Sequence, residues 1–425
     1  MRRTRKLLLA FLFLVLLVQL PALYRRRQFA RLDETIARFN AQRAPAPIDQ
    51  FFADYAGALH VHTFLGGHST GTFADVIAGA QRSGLAFVVM TEHTEGDLDT
   101  RRMTLRGWHG GILFVNGNET SEATQDHLLT FGGNDEEDPA EHTTRPPDRQ
   151  AAANSDASTQ AAIDRAKAAG RRVFAAHPET FGAWQASGFD GMEIYNLHAA
   201  AKRASRPALL FEGFWSYPRY AQLFWTGFGD DPFAATRQWD ALTRGGARKV
   251  VAIAGNDAHA NVGLSLQQLT GKPILQLKLD PYERSFRVVR THVLLPRDQP
   301  LDTRALLDAL GRGHAYVAFD SLGDATGFRF TATHTDAPDN GNNTTPALMG
   351  DDLALEAGVR LSVSTPVRSR IVLVKDGVKV GEEATERREW TISERGVYRI
   401  ECYLPDLPAP LNDRPWIVSN PIYVR

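Results

Sequence analysis

The chain opens on an apolar block that no polar face interrupts. Leu7 to Val18 is continuous, and Leu20, Leu23 and Tyr24 extend it; Arg2, Arg3, Arg5 and Lys6 precede it and Arg25-Arg26-Arg27 follow. Eighteen helical residues span about 27 Å, slightly short of the roughly 30 Å hydrocarbon core of a bilayer. A cleaved signal peptide starts the same way, but Pro21-Ala22-Leu23-Tyr24 runs straight into arginines where small residues would mark cleavage. The pattern predicts an uncleaved signal anchor over residues 1–27, a single pass touching the lipid bilayer through residues 7–24, with the body on the extracytoplasmic, periplasmic side. Residues 28–55 read as a short polar helix and a linker, Ala44-Pro45-Ala46-Pro47.

From about residue 56 to 322 short apolar runs alternate with helical periods. Leu85–Thr91, Ile112–Val115, Arg172–Ala176, Gly191–Tyr195 and Lys249–Ala254 read as strands. Phe73–Ser83 reads as a helix, with Thr72 as N-cap and Gly84 as its stop, and Ala161–Ala169 repeats the pattern before Gly170. Such alternation predicts an α/β domain of parallel strands, barrel or open sheet. Gly133–Thr159 is polar and acidic and reads as a surface loop. Over residues 323–425 the period changes to two: Phe328–Thr333, Val359–Ser364, Ile371–Val374, Val378–Val380, Val397–Tyr403 and Ile417–Val424 predict strands only, and Asp376-Gly377 is a tight-hairpin signal. An all-β sandwich is the natural reading.

Composition adds limits. At 425 residues, 43% hydrophobic and 23% charged, the chain has core material for two or three globular domains, which excludes a disordered, collagen-like or polytopic membrane protein. Residues 1–31 hold eight basic residues and no acidic one, so of 48 basic and 49 acidic residues the rest keeps 40 and 49, a net −9. That body lacks the electrostatic footprint of a nucleic-acid binder, and no nucleic-acid partner is expected. Cys402 is the only cysteine, so no thiolate metal site is possible.

The 13 histidines carry more. His60-Val61-His62 falls in a predicted strand, where residues i and i+2 share a face. His68 follows a Gly66-Gly67 turn, Glu92-His93 closes the run Ala86–Met90, Glu119 follows Gly117-Asn118, and His127 lies eight residues on. His177 ends Arg172–Ala176, and Asp257-Ala258-His259 ends Lys249–Ala254. Singly, each could be a satisfied buried polar group. Together they put ligand-type side chains at five or more strand ends, which gather at one face in a parallel β/α fold. Nitrogen and carboxylate donors without sulfur suit zinc, manganese or iron, and nine exceed the needs of one tetrahedral ion. Two to three divalent ions are expected.

This series, His60-x-His62, His68, Glu92-His93, Glu119, His127, His177 and Asp257-x-His259, resembles the PHP (polymerase and histidinol phosphatase) family over about residues 56–322. The resemblance implies a distorted (β/α)7 barrel carrying up to three metals. It implies that His60, His62, Glu119 and Asp257 hold one ion, that Glu119 bridges to a second held with His127 and His177, and that His68, His93 and His259 hold the third. The C-terminal sandwich and Trp416–Pro421 are similar to a branch that includes carbamate-ester hydrolases. Ala58, Thr70 and Glu92 stand where the family often has Asp, and none is among the nine. The amidohydrolase superfamily also opens with His-x-His, but it usually adds a carboxylated Lys and ends in a single Asp.

The expectation is a multinuclear metal-dependent hydrolase acting on a small-molecule substrate, a phosphoesterase first, with a metal-bridging hydroxide as nucleophile. The alternatives are a carbamate, amide or carboxyl ester hydrolase on the same centre, and a non-catalytic metal-binding protein at the membrane. Glu193, Asn196, Lys202 and Arg203 are candidate substrate contacts, although a solvated helix explains the last two as well. His198 in the same stretch reads as a solvated helix residue, and His109, His142, His292, His314 and His334 as structural or surface. Residues 211–239 hold ten of the chain's 40 aromatics, which reads as core packing or as an apolar wall for the substrate.

Overall fold

The computed structural model describes residues 2–43, 49–94, 100–121, 126–133, 155–203, 215–226, 234–261, 263–267, 273–335, 345–355 and 358–425. The N-terminal 41 residues described form one helix, α1 (Arg2–Gln42). Its second half is the expected helix, but not a wholly polar one. Phe29, Leu32 and Phe39 repeat at helical spacing and are buried in the main core, with Phe29 stacked on Tyr220 at 6.1 Å. Arg43 then pairs with Asp324 and donates to the Thr326 carbonyl at 2.7 Å. Phe13, Leu17, Leu20, Leu23 and Tyr24, toward the other end, are exposed. No helix among the described residues is long and apolar enough to cross a membrane, which gives the expected anchor no support; most side chains of Leu7–Val18 lie outside the described residues.

Seven strand positions follow: β1 (Phe52–Val61), β2 with β3 (Phe87–Met90, Glu92–His93), β4 with β5 (Ile112–Val115, Gly117–Ser121), β6 (His127–Phe131), β7 (Arg172–Ala176), β8 (Gly191–Asn196) and β9 (Val251–Ala258). β1 pairs with β2, β2 with β4, β3 with β5, β5 with β6, β6 with β7, β7 with β8, β8 with β9, and β9 with β1. All are parallel except the two pairings of β6. That departs from the all-parallel expectation for a simple reason. Only five residues separate Ser121 from His127, and a parallel neighbour needs a crossover of about a dozen. His127 therefore begins its strand at the end where its neighbours finish theirs.

Leu59, Phe87, Val89, Leu113, Val115, Leu129, Phe131, Phe174, Ala176, Val251 and Ile253 come from six of the seven positions and meet in one buried cluster. Leu306 and Leu310 of a helix at Thr303–Arg312 join them. Residues of the opposite parity, Ala58, Val88, Met90, Ile112 and Phe114, pack instead against Val76 and Ala80 of α2 (Phe73–Ser83) and against Tyr282 and Phe286. The period-two alternation of a strand thus separates an inner from an outer apolar layer. The expected caps of α2 are present: Thr72 and Asp75 form a capping box, and Gly84 turns left-handed at φ 66°. The expected loop Gly133–Thr159 lies mostly outside the described residues, but its last part is helix, Ser155–Ala168.

After Leu322 the regular elements among the described residues are strands, apart from one helical turn at Leu411–Asp413. Val359–Lys375 is one 17-residue strand where two were expected; it pairs with Arg329–His334, Val378–Ile392 and Gly396–Tyr403, and Asp376-Gly377 turns the hairpin with both φ angles positive. The C-terminal ladder joins the α/β part through Ile417–Ser419 on Ala315–Ala318. Asn420 also binds both the N–H and the carbonyl of Ala252 on β9, at 2.7 and 3.0 Å. A buried ionic network ties the other edge. His292 lies between Asp54 (2.9 Å) and Asp320 (3.1 Å), stacked on Tyr316, whose hydroxyl donates to Asp54, while Arg329 reaches Asp54 from the C-terminal part. Burial disfavours the imidazolium, yet the two carboxylates hold His292 protonated up to about 10, and it in turn holds them below the usual carboxylate range.

Two measurements check this account. Removal of residues 1–27 should leave the fold intact, whereas removal of 1–43 deletes Phe29, Leu32 and Phe39. At about 1.5–3 kcal/mol for each large buried apolar side chain, the second truncation should lose about 5–9 kcal/mol in denaturant unfolding, or fail to fold. For His292, whose folded value is raised from 6.5 to about 10, the stabilising contribution is complete below pH 6.5 and is lost as pH rises through 10. The unfolding free-energy difference between the wild type and His292→Gln should therefore shrink between pH 7 and pH 10.5.

Candidate metal centre

One end of the inner layer is polar, and a reversal of side-chain parity makes it so. Leu59 belongs to the inner cluster and Val61 to an outer one, although two residues on a regular strand face the same way. The register of β1 shifts between them, and His60 has φ 65°. This bulge turns both His60 and His62 toward the other donors, their rings 4.9 Å apart. The same device recurs at His177 (φ 48°), directly after inward Ala176, and at Asp257 (φ 47°). A left-handed conformation is uncommon outside glycine and clusters at functional sites.

Glu119 sits at the middle, 1% exposed. Its Oε2 lies 3.1 Å from His60 Nε2 and 3.3 Å from both His62 Nε2 and His93 Nε2. Its Oε1 accepts from His127 Nδ1 at 2.7 Å and from His177 Nε2 at 3.0 Å. One carboxylate thus faces two imidazole groups, one on each oxygen. Asp257 Oδ1 stands 3.5 Å from the Nε2 atoms of both His60 and His62, and Oδ2 is 3.7 Å from His177 Nε2. His259 stacks on His62 at 4.4 Å and on His68 at 4.9 Å, and His68 lies 4.3 Å from His93. All nine residues expected from the sequence are therefore brought together. Seven of them fall in groups whose donor atoms lie within 4.8 Å of one another: His62, His93 and His259; His60, Glu119 and His177; His60, His62 and Asp257. Exposed His68 and half-buried His127 flank these groups rather than joining them, and His62 accompanies His93 and His259 where His68 was expected.

The electrostatics describe a centre built around positive charge. Burial works against ionised Glu119 and Asp257, but the surrounding imidazoles, His60 foremost, hold both carboxyls well below their usual range. Burial likewise opposes charge on His60, which the carboxylates Glu119, Asp257 and Glu193 override; bonds to Glu119 and Glu179 hold His177 protonated up to about 10. Burial and the charge of His62 pull His93 down to about 3 and His259 to about 2. Meanwhile His60 Nε2, both ring nitrogens of His62, Asp257 Oδ1 and His259 Nε2 are buried without a hydrogen-bond partner. Orphaned ligand-type atoms on four neighbouring residues fit a bound cation, because such atoms are otherwise costly to bury.

Other residues have different tasks from those expected. Glu193 is not available to a substrate: Oε1 holds His60 Nδ1 at 2.6 Å, while Oε2 accepts from the His177 N–H at 2.9 Å and from Asn196 Nδ2 at 3.0 Å. Asn196 also caps the next helix, accepting from the Ala199 N–H. These two residues set ring orientation, a role that spacing alone does not reveal. Gly255 makes room for Glu193, since a Cβ there would stand 1.8 Å from Oε1. Glu92, buried beside His93, accepts from the Thr63 N–H, the Thr63 hydroxyl and the Thr104 hydroxyl, and so anchors the turn that leads to His68. Lys202 is exposed; Arg203 is 3.8 Å from Glu179, which is itself 3.5 Å from His177 Nδ1. Sequence reasoning missed His198, whose ring stacks on His259 at 4.9 Å. In the aromatic-rich segment, Tyr217, Phe224, Trp225 and Trp239 are buried in the main core, so what is described there is packing. His142 lies outside the described residues, and His109, His292 and His314 are engaged with Arg106, with Asp54 and Asp320, and with Asp351.

No protein-family model and no curated protein matches the chain. Among solved structures it is similar to a two-domain protein from Bacteroides vulgatus containing a predicted PHP-like metal-dependent phosphoesterase. That likeness has 14% identity, 89% of this chain and 99% of the other covered, and a TM-score of 0.39. It is also similar to PsfC from Pseudomonas syringae, at 13% identity, 63% and 93% covered, and a TM-score of 0.33. A third is Endonuclease Q in complex with a 27-mer duplex bearing an abasic lesion at the active site, at 11% identity, 61% and 56% covered, and a TM-score of 0.33. At such levels of likeness the chemistry rests on the side chains described above.

Gly255→Ala tests the ordering of the donors without touching one. The added methyl group must displace Glu193, so about 1–3 kcal/mol of stability should be lost by overpacking. Metal bound per chain after reconstitution, read by elemental analysis, should fall by at least one ion. Unchanged metal content would show that Glu193 does not order the donors.

Proposed function

We propose that the chain is a metal-dependent hydrolase of the PHP type that acts on phosphate esters, built on a distorted seven-strand barrel backed by a β-sandwich. The observation that carries this reading is the convergence of orphaned, buried imidazole and carboxylate atoms around Glu119. His60, His62, Glu119 and Asp257 would hold one ion, Glu119 with His127 and His177 a second, and His93 with His259 and His68 a third. Divalent ions in such a cluster lower the pKa of water from 15.7 toward about 7 and stabilise negative charge on an ester oxygen.

The protein's own part is positioning. Glu193 fixes the ring of His60 through Nδ1 and leaves Nε2 facing Glu119, and Glu119 offers one oxygen to each imidazole group. No donor is a thiolate: Cys402 is buried in the C-terminal ladder, opposite Ile371. His68 at the rim is exposed and marks the open side from which an ester could enter. Arg203 stands two contacts from the centre, through Glu179 and His177, within reach of a role in binding a phosphate group. That guanidinium favours phosphate over carbamate esters.

The test is a parallel screen of the purified protein, loaded with manganese or zinc, against phosphomonoesters, phosphodiesters, carbamates and aryl carboxylates. Phosphoester turnover abolished by a chelator is expected, and turnover of the carbon esters alone would overturn the proposal. Within that assay Glu119→Gln should lower kcat by more than the 10–100-fold typical of an outer partner and should release one to two ions per chain. His109→Ala, on a hairpin whose ring bonds to the Arg106 carbonyl, should alter neither quantity.

A further inference from the structure

His198 is the one imidazole of the cluster that lies outside the nine-residue set. It is the second residue of a helix, Leu197–Arg203, that starts directly at the end of β8. Its place is fixed from below: Asn196 caps the helix through the Ala199 N–H while its amide is held by Glu193. The same carboxylate that orients His60 thus also sets where His198 stands. A ring nitrogen of His198 lies within 4.8 Å of a carboxylate oxygen of Asp257 and a ring nitrogen of His259, and these two are in turn that close to each other. Asp257 Oδ1 and His259 Nε2 are orphaned, on residues 2% and 4% exposed. The ring of His198 makes no hydrogen bond among the described residues, and it lies roughly parallel to His259, at 30°.

Resting on the reading above, we propose that His198 is a metal ligand: with Asp257 and His259 it forms a nitrogen–oxygen donor set for a divalent transition metal, adding a tenth residue to the centre. Two imidazoles and one carboxylate are the donor types that zinc and manganese take. A histidine that merely solvated its helix would have no reason to stand half-buried beside two unsatisfied donors.

The experiment compares wild type with His198→Phe, His198→Asp and His109→Ala. Each is loaded with Co(II) or Zn(II) and dialysed against buffers of fixed free-metal concentration; bound metal is measured by elemental analysis and the cobalt d–d absorption is recorded. His198→Phe should raise the apparent Kd of one ion at least tenfold and alter the cobalt spectrum, while circular dichroism of the metal-free protein stays as in wild type. His198→Asp, which restores an oxygen donor, should recover most of the affinity with a shifted spectrum. If His198→Phe binds metal as wild type does, with an unchanged cobalt spectrum, His198 is no ligand. If the wild type itself binds less than one ion, the reading of the whole centre fails, not this inference alone. A His198→Phe protein that lost its metal-free fold would leave His198→Asp to decide: retained affinity with an unshifted spectrum would overturn the proposal.

Discussion

Three backbone positions set the whole centre. His60, His177 and Asp257 occupy the left-handed region, which costs a residue with a Cβ roughly 1–2 kcal/mol each. Regular strands would place Leu59 and Val61 on one face and send His60 and His62 outward. The turn at His60 breaks that parity, so β1 feeds apolar side chains inward over its first part and imidazoles inward at its end. The strain is held by what surrounds it: β1 is hydrogen-bonded to β2 and β9 on both sides of the bulge, and Leu59, Val61, Ala176 and Ala258 are buried.

Around this constraint lies a layer of residues that decide where the donors point. Glu193 acts on His60, His177 and Asn196 at once, and only a glycine at 255 leaves it space. Glu92 acts on the Thr63 turn in the same way, its extra methylene relative to Asp letting it reach both Thr63 and Thr104. Burial makes these bonds strong and their loss expensive, because an unpaired carboxylate at such depth has no water to turn to.

The C-terminal ladder supports the site indirectly. Asn420 grips Ala252 on the strand that ends in Asp257, and the Asp54–His292–Asp320 network clamps the start of β1, six residues before His60 on the same strand. The strands that carry His60, His62 and Asp257 are thereby fixed at the end away from the site. Apolar burial could hold the strands together, but paired charges and an amide specify their register.

Much of the arrangement was legible in the chain. Period-two and period-3.6 runs, the Thr72 and Gly84 caps and the Asp376-Gly377 turn gave their elements within a few residues, since each depends on local propensity alone. The gathering of the nine histidine, glutamate and aspartate side chains was legible because ligand chemistry allows few residue types and strand ends bring distant motifs to one face. The antiparallel β6 was implicit in the five residues between Ser121 and His127. What sequence could not decide is which polar residue stands next to which. Glu193 and Asn196 read as substrate contacts, and His198 as a solvated helix residue, because only packing of β8 against β9 turns Glu193 onto His60, Asn196 onto Glu193 and His198 toward His259. The second half of α1 was read as a helix but its buried face was missed, since the partner that packs on Phe29, Tyr220, lies 191 positions away. Local pattern fixes elements; side-chain neighbours across strands are set by bulges, glycine clearances and buried hydrogen bonds, and these exist only once the chain has closed on itself.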